Sequence, residues 1–208
     1  MKLQTLTDVN NEFTSFLGTL DKETYDKDSI KKAYEFAKKA HAFQRRRSGE
    51  PYIMHPVEVA KIVASFGMDN ASIMAALLHD TVEDTEVTLI DVKKEFSEEI
   101  ALLVDGLSKI TQFGDRKKTI DFDEHISSLR KILLASAKDI RILIIKLCDR
   151  LHNMRTLKEL PEVKRVKKPQ ETMQIYVPIA QKIGIYALKW ELEDLSLIHI
   201  SEPTRLGM

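Results

Sequence analysis

The sequence predicts an all-α fold, a bundle of roughly nine helices. Apolar residues recur at helical spacing along most of the 208 residues, and only 7 glycines and 6 prolines interrupt them. No stretch alternates apolar and polar residues as a half-buried strand would. A chain of this length can bury one sizeable core, so we expect a single helical domain.

Capping residues and turn formers delimit the expected helices. Asp28 and Asn70 are the expected N-caps of two helices. Pro56 is expected in the first position of another helix, which Gly67 ends. The polar stretch 111–123 is expected to be a loop. The expected helices cover 28–43, 56–66, 71–82, a segment that begins at 88, 98–110, 124–137, 140–160, 170–183 and 185–194.

Three parts of the chain are expected to differ in kind. Residues 1–27 form an N-terminal leader, and residues 28–194 form the helical domain. From Leu195 the sequence does not continue the amphipathic pattern and is similar to a translated transposon-type sequencing adapter. We therefore expect 195–208 to be a non-native, adapter-derived tail, and it is excluded from the prediction of the fold.

Composition narrows the class of protein. Lys+Arg and Asp+Glu both number 32, so the net charge of zero argues against nonspecific nucleic-acid binding over the whole surface. The single cysteine, Cys148, is expected to be a small core residue, and it allows no internal disulfide, as is typical of a reducing cytoplasm. No apolar run reaches the roughly 20 residues of a membrane span, and the N-terminus has no signal peptide pattern.

Four side chains at ordered spacing indicate a metal site. They are His55, the adjacent pair His79 and Asp80, and Asp149. Two imidazoles and two carboxylates suit a divalent transition metal such as Mn²⁺, Fe²⁺ or Zn²⁺. An adjacent His-Asp pair alone is a weak signal, because the two side chains of a helical pair point about 100° apart.

Further acids beside this pair strengthen the metal hypothesis. Glu83 and Asp84 follow Asp80 at i+3 and i+4, which places three carboxylates on one helical face. The alternative is an acidic helix end exposed to water. A helix C-terminus is unfavourable for acids, so we favour a site centred on a cation.

Asp149 begins a polar stripe on an otherwise apolar helix. His152, Asn153 and Thr156 follow at i+3, i+4 and i+7, so the stripe either reaches the surface or lines a pocket. Asn153 can donate and accept hydrogen bonds at once, which suits a nucleobase or a supporting role. His152 is either a ligand or, as we favour, a residue that supports the ligands.

A basic segment precedes His55. It contains Arg46, Arg47 and Ser48, and arginine forks can bind phosphates through two hydrogen bonds. The alternative is a solvated basic helix end, which the helix dipole favours. The short distance in sequence to His55 favours substrate binding.

Several segments resemble the N-terminal hydrolase domain of RelA/SpoT homologues. They read RRSGEPYIMHP at 46–56, LLHDTVEDT at 77–85, LCDRLHNMRT at 147–156, ETMQIYVPIA at 171–180 and KWELED at 189–194. The resemblance covers about 29–194, and its motifs are long and in order. One departure is Thr81, where an apolar residue is more usual, and it leaves the predicted ligands and acids intact.

This resemblance implies an all-helical HD-type fold and a Mn²⁺-dependent 3′-pyrophosphohydrolase of the alarmones ppGpp and pppGpp. His55, His79, Asp80 and Asp149 match the family's metal ligands. The acidic pair that positions or deprotonates the attacking water corresponds to Glu83 and Asp84. The nucleotide-binding positions correspond to Arg46, Arg47, Ser48, Asn153 and Thr156.

The resemblance also implies that the chain is a fragment of a longer bifunctional protein. Long members of the family carry synthetase and regulatory domains after the hydrolase, and the KWELED segment is similar to their junction. We expect a cytoplasmic protein with no nucleic-acid or membrane partner. Two alternatives stay open, an HD phosphohydrolase of another nucleotide and a non-catalytic nucleotide sensor.

Overall fold

The computed structural model describes residues 4–114 and 139–201. These residues are helical and contain no β-strand, which confirms the all-α prediction. The helices α1 to α11 are Leu6–Thr19, Lys27–Ala40, Met54–Ser65, Asn70–Leu78, Thr81–Asp84, Leu89–Glu95, Glu98–Gly114, Ile140–Arg155, Glu162–Glu171, Val177–Lys182 and Tyr186–Ser201. Within the same residues no helix is long and apolar enough to cross a bilayer.

Some helices join into longer rods. Only two residues separate α4 from α5, and a π turn at Thr172–Tyr176 makes α9 continuous with α10. Counted in this way, the described residues form nine rods, in agreement with the roughly nine expected helices. The set of helices differs from the expected one, because α1 was not predicted and the expected helix at 124–137 lies outside the described residues. The expected loop at 111–123 was wrong at 111–114, which belong to α7, and its remainder lies outside the described residues.

Two apolar helices form the centre of the domain. Every residue of α4 from Ser72 to Leu78 is buried, and α2, α3 and α7 pack around this helix. Most of α8 is also buried, against α3, α7 and α11. Cys148 is a fully buried part of this core, as predicted, and burial raises the pKa of its thiol to about 12. Helix α3 packs against both central helices, so polar residues on these three elements can meet.

Several predicted helix boundaries were wrong by a few residues. Asp26, not Asp28, caps α2 and accepts a hydrogen bond from the backbone N–H of Ser29. Asp69, not Asn70, caps α4 by accepting from the N–H of Ser72. In both cases two nearby polar residues could serve as the cap, and the sequence alone did not decide between them.

The segment around His55 folds differently from the prediction at one end. Helix α3 begins at Met54, so Pro56 occupies its third position and His55 already belongs to its first turn. A proline is tolerated there because the first N–H groups of a helix have no intrahelical partner. The predicted C-terminal end is confirmed, since Gly67 has φ of 68° directly after the C-cap Phe66.

The C-terminal third contains the largest helix error. A 3-10 turn at Leu157–Glu159 follows α8, which ends at Arg155, short of the predicted residue 160. Helix α9 then begins at Glu162, eight residues before the predicted start at 170, and it contains Pro169. The π turn ends just before Pro178, which has no N–H to donate to a carbonyl one turn back, so the backbone there departs from α-helical bonding.

Both ends of the described chain are helical. Helix α1 has a capping box formed by Thr5 and Asp8, and it buries Val9, Phe13 and Phe16 against the core. Helix α11 continues to Ser201. The division into a leader, a domain and a tail at residues 28 and 194 stays a prediction.

Candidate metal centre

The four predicted metal ligands come from three helices and face one another. His55 lies in the first turn of α3, His79 and Asp80 lie between α4 and α5, and Asp149 lies in α8. One ligand atom each from His55, His79 and Asp80 lies within 4.8 Å of the others. The Oδ1 atom of Asp149 is 3.2 Å from Nε2 of His55 and 4.0 Å from Nε2 of His79.

The turn between α4 and α5 places His79 and Asp80 in this cluster. His79 and Asp80 keep helical dihedral angles, and the N–H of Asp84 donates to the carbonyl of Asp80 at 2.9 Å. The hydroxyl of buried Thr81 donates to the carbonyl of Leu78 at 2.6 Å. The one departure from the family pattern therefore satisfies a carbonyl at the end of α4.

Hydrogen bonds fix the orientation of both imidazoles. Nδ1 of His79 lies 2.8 Å from the carbonyl of Ala76, so this nitrogen carries a proton and donates. Nδ1 of His55 lies 2.7 Å from Nδ1 of His152. We assign His55 as the donor, because Arg46 also points a guanidinium nitrogen at Nδ1 of His152 from 3.5 Å. Both Nε2 atoms then face the cluster.

The cluster has the chemistry of a divalent cation site. Nε2 of His79 is buried and has no hydrogen-bond partner among the described residues, although Oδ1 of Asp80 is 3.1 Å away. A buried polar atom without a partner is costly, and a cation would satisfy it together with the facing carboxylates. His55, His79, Asp80 and Asp149 therefore fit a borderline-soft divalent ion.

Asp149 is held in its charged form. Lys146 donates to its Oδ2 atom at 2.8 Å, and Asn153 donates to its Oδ1 atom at 2.6 Å. Burial opposes ionisation, but the charge of Lys146 holds the pKa of Asp149 well below its ordinary value. Lys146 was not predicted, although its position in an apolar run, three residues before Asp149, was a usable signal.

The neighbouring charges also shift the pKa values of Asp80, His79 and His152. Burial raises the pKa of Asp80, whereas the neighbouring His79 and His55 lower it. The net result is a pKa far below the ordinary value of an aspartate. The pKa of His79 rises to about 9, against its burial, because of Asp80 and Asp149. Burial first, then His55 and Arg46, lower the pKa of His152 to about 2. His152 is therefore a neutral acceptor that supports His55, in line with the favoured prediction.

The two predicted catalytic acids differ in their surroundings. Glu83 is half-buried, and its Oε1 atom has no hydrogen-bond partner among the described residues. Burial raises the pKa of Glu83 to about 7, with Asp80 and Asp84 adding to the effect of burial and Lys146 opposing it. Asp84 is exposed, and its Oδ2 atom accepts a hydrogen bond from the hydroxyl of Tyr52 at 2.9 Å.

Tyr52 is a residue of the site that the sequence analysis missed. The single hydroxyl proton is shared with Oδ2 of Asp80, which lies 2.6 Å from the phenol oxygen, and the ring stacks on His41 with centroids 4.7 Å apart. Burial, Asp80 and Asp84 raise the pKa of Tyr52 above its ordinary value, so it stays a hydrogen-bond donor. Its position three residues before His55 was the available signal.

The predicted substrate-binding residues are brought together only in part. Arg46 donates to the hydroxyl of Thr156 at 3.2 Å, which joins the loop before α3 to the end of α8. Arg47 is exposed, and Ser48 donates to Glu50 at 3.2 Å. Asn153 lies on the same cluster as the ligands through its bond to Asp149.

The loop that carries Arg46, Arg47 and Ser48 is a tight hairpin. The N–H of Arg46 donates to the carbonyl of Glu50 at 2.8 Å, and Arg45 and Pro51 form an antiparallel bridge. Gly49 has φ of 91°, a conformation that strongly favours glycine. Arg46 on this hairpin thus reaches the site, while the guanidinium of Arg45 donates to the carbonyl of Gly49.

Comparisons with known proteins identify the family of the chain. A family model described as HD domain matches residues 33–186. The GTP pyrophosphokinase of Streptomyces coelicolor is 47% identical over 176 residues, which are 84% of this chain and 20% of that protein. The guanosine-3′,5′-bis(diphosphate) 3′-pyrophosphohydrolases of Aquifex aeolicus and Borreliella burgdorferi are 46% and 40% identical, over 80% and 96% of this chain and 23% and 30% of those proteins.

A solved structure supports the same relationship. It is described as "A metazoan ortholog of SpoT hydrolyzes ppGpp and plays a role in starvation responses" and has 26% identity and a TM-score of 0.56, covering 88% of this chain and 97% of that one. The resemblance to the hydrolase domain of RelA/SpoT homologues is thereby confirmed. The chain spans only 20% to 30% of the length of the three curated relatives above.

Proposed function

The chain belongs to the HD domain family, and on that premise we propose that it is a metal-dependent 3′-pyrophosphohydrolase of ppGpp and pppGpp. The products would be GDP or GTP and pyrophosphate. The observation that carries the proposal is the convergence of two imidazoles and two carboxylates beside a half-buried acid with a raised pKa. Relatives named for this activity support the choice of substrate.

The proposed cofactor is one Mn²⁺ ion. HD domain hydrolases are metal-dependent, and His55, His79, Asp80 and Asp149 would hold the ion through the atoms that face one another. A bound divalent ion lowers the pKa of a coordinated water and polarises a phosphoryl oxygen. The preference for manganese over iron or zinc follows from the family resemblance, since the donor types suit all three.

The remaining chemistry belongs to the side chains of the chain. Glu83 is proposed to take a proton from the attacking water, because its Oε1 atom is buried, unpaired among the described residues and basic enough near neutral pH. Asp84 is proposed to position that water. His152 and Lys146 would keep His55 and Asp149 oriented throughout the reaction.

Substrate binding is proposed for residues of the hairpin before α3 and of the C-terminal end of α8. Arg46, which already spans from its hairpin to Thr156, would grip a phosphate with its free donors. Arg47 and Ser48 on the same hairpin would add donors, and Asn153 and Thr156 would contact the nucleoside. These assignments rest on the family pattern and on the position of Arg46.

The proposal extends to the protein that contains this domain. Relatives named for pyrophosphokinase and for pyrophosphohydrolase activity are several times longer than this chain. We therefore propose a cytoplasmic bifunctional protein whose C-terminal synthetase and regulatory domains are missing here. No nucleic acid is proposed as a ligand of this domain.

The experiment measures pyrophosphate release from ppGpp by the purified chain, with Mn²⁺ and with a chelator. Metal-dependent release with GDP as the co-product is the expected result. A panel of guanosine and adenosine nucleotides separates an alarmone hydrolase from an HD phosphohydrolase of another nucleotide. Tight guanosine-nucleotide binding without turnover, by folded and metal-loaded protein, would instead indicate a nucleotide sensor and contradict the proposal.

A further inference from the structure

The hydroxyl group of Tyr52 lies between the carboxylates of Asp80 and Asp84, for which different functions are proposed. The Oη atom of Tyr52 is 2.6 Å from Oδ2 of Asp80, a proposed ligand, and 2.9 Å from Oδ2 of Asp84, which is proposed to position the water. We propose that Tyr52 is a positioning residue that fixes Asp84 relative to Asp80. This inference rests on the proposed function and adds a residue to it.

The phenol ring is itself held in place. It stacks on His41, which is buried, with an interplanar angle of 28°. Nδ1 of His41 bonds Oε1 of Gln44 at 2.7 Å, and the N–H of Tyr52 donates to the carbonyl of Gln44 at 3.1 Å. A tyrosine has only two side-chain torsions, so a stacked ring with a bonded backbone places its hydroxyl with little freedom.

Asp84 needs such a restraint. It is the last residue of the four-residue helix α5, and the chain becomes extended at Thr85. The loop before α3 contacts it twice, because the side-chain amide of Gln44 donates to its backbone carbonyl and the hydroxyl of Tyr52 shares its one proton between the carboxylates of Asp84 and Asp80. Backbone and side chain of Asp84 are thus tied to the same loop, and through Tyr52 to the ligand Asp80.

A matched control exists in the same domain. Tyr34 is buried, its ring stacks on Phe13 with centroids 3.8 Å apart, and its hydroxyl donates to Oδ1 of Asn10 at 2.6 Å. Tyr52→Phe and Tyr34→Phe therefore each remove one hydrogen-bonded hydroxyl and keep one stacked ring. A purely structural effect would appear in both variants.

The kinetic test uses ppGpp at saturating Mn²⁺. We expect Tyr52→Phe to lower kcat about tenfold or more, the scale for a hydrogen bond to a charged group, with KM little changed. Tyr34→Phe should keep wild-type kcat. In an Asp84→Asn background the further loss from Tyr52→Phe should be small, because residues that act as a unit are not additive.

Three results would overturn the inference. They are an unchanged kcat in Tyr52→Phe, an equal loss in Tyr34→Phe, and a full loss that persists in the Asp84→Asn background. The last result would mean that Tyr52 acts through Asp80 or through folding, not through Asp84.

A measurement without substrate separates this inference from the proposed function. A phenol hydrogen bonded to a carboxylate gives a downfield proton resonance that exchanges slowly when buried. In metal-free protein we expect a resonance that Tyr52→Phe removes and Asp84→Asn shifts, and that Tyr34→Phe leaves in place. If this holds while ppGpp is not hydrolysed, only the proposed function fails. If hydrolysis occurs but Asp84→Asn leaves the resonance unmoved, only the inference fails.

Discussion

Two neighbouring parts of the site are organised differently. One is the cluster of the predicted ligands His55, His79, Asp80 and Asp149, and the other is the basic hairpin at 45–51. His55, His79 and Asp149 are buried, and each has a fixed partner in His152, in the carbonyl of Ala76 and in Lys146. On the hairpin, Arg47 is exposed and Ser48 bonds only within its own turn. The cluster is therefore preorganised, whereas most of the hairpin presents donors to solvent.

This difference has a physical cause. Burying ionisable groups is costly unless each is paired and hydrogen-bonded, so a buried cluster persists only with a complete set of supporting bonds. An exposed guanidinium has no such requirement, because water solvates it. Substitution of a cluster residue should therefore abolish hydrolysis of ppGpp, whereas substitution of a hairpin residue should only reduce it.

The largest expected effect follows removal of a ligand. His55→Ala or Asp80→Ala should abolish both metal binding and turnover, beyond the roughly 10–100-fold that loss of a supporting partner costs. Metal stoichiometry after dialysis, together with ppGpp hydrolysis, checks this. His199→Ala, on α11, is the control and should keep both properties. Retained stoichiometry in either ligand variant would contradict the ligand set.

The next effect separates metal binding from proton transfer. Glu83→Gln should keep the metal but lower kcat by about 10²–10⁴, the usual contribution of a general acid or base. Glu86→Gln neutralises an exposed acid three residues further on and should leave kcat unchanged. A wild-type rate in Glu83→Gln would remove Glu83 from the mechanism.

The hairpin should respond more mildly. Arg46→Ala should raise the KM for ppGpp roughly tenfold with metal content unchanged, because it removes a charged hydrogen-bond donor. Arg155→Ala removes a nearby cation that pairs with Glu191, and it should leave KM unchanged. Lost metal in Arg46→Ala would show that the hairpin and the cluster are one unit after all.

The smallest expected effect is on stability. Burial raises the pKa of Glu83 to about 7, so the folded metal-free protein binds this proton more tightly than the unfolded chain does. That stabilisation is present below pH 4.5 and is lost as the pH rises through 7. Glu83→Gln should therefore stabilise the metal-free protein at pH 8, by about 1 kcal/mol after solvent screening, but not at pH 4. Equal shifts in Tm at both pH values would contradict this.

The sequence alone was sufficient for the fold class and for four of the polar side chains that meet, His55, His79, Asp80 and Asp149. Helical spacing predicted most of the rods, Gly67 and Thr88 marked the end of α3 and the start of α6, and motif spacing selected the four predicted ligands, which face one another. It was insufficient where a local choice depends on distant packing. Examples are the cap of α2 at Asp26 and the start of α9 at Glu162, far ahead of Pro169.

Local pattern and tertiary structure thus determined different things. The sequence determined which side chains can bind a metal, because ligand chemistry is a property of residue types. Only the tertiary structure decided which ligand some supporting groups contact, because Tyr52 reaches Asp80 from the loop before α3, and His152 on α8 reaches His55 on α3. The pKa of Glu83 was likewise decided by the tertiary structure, since burial and neighbouring charge arise only when the helices pack.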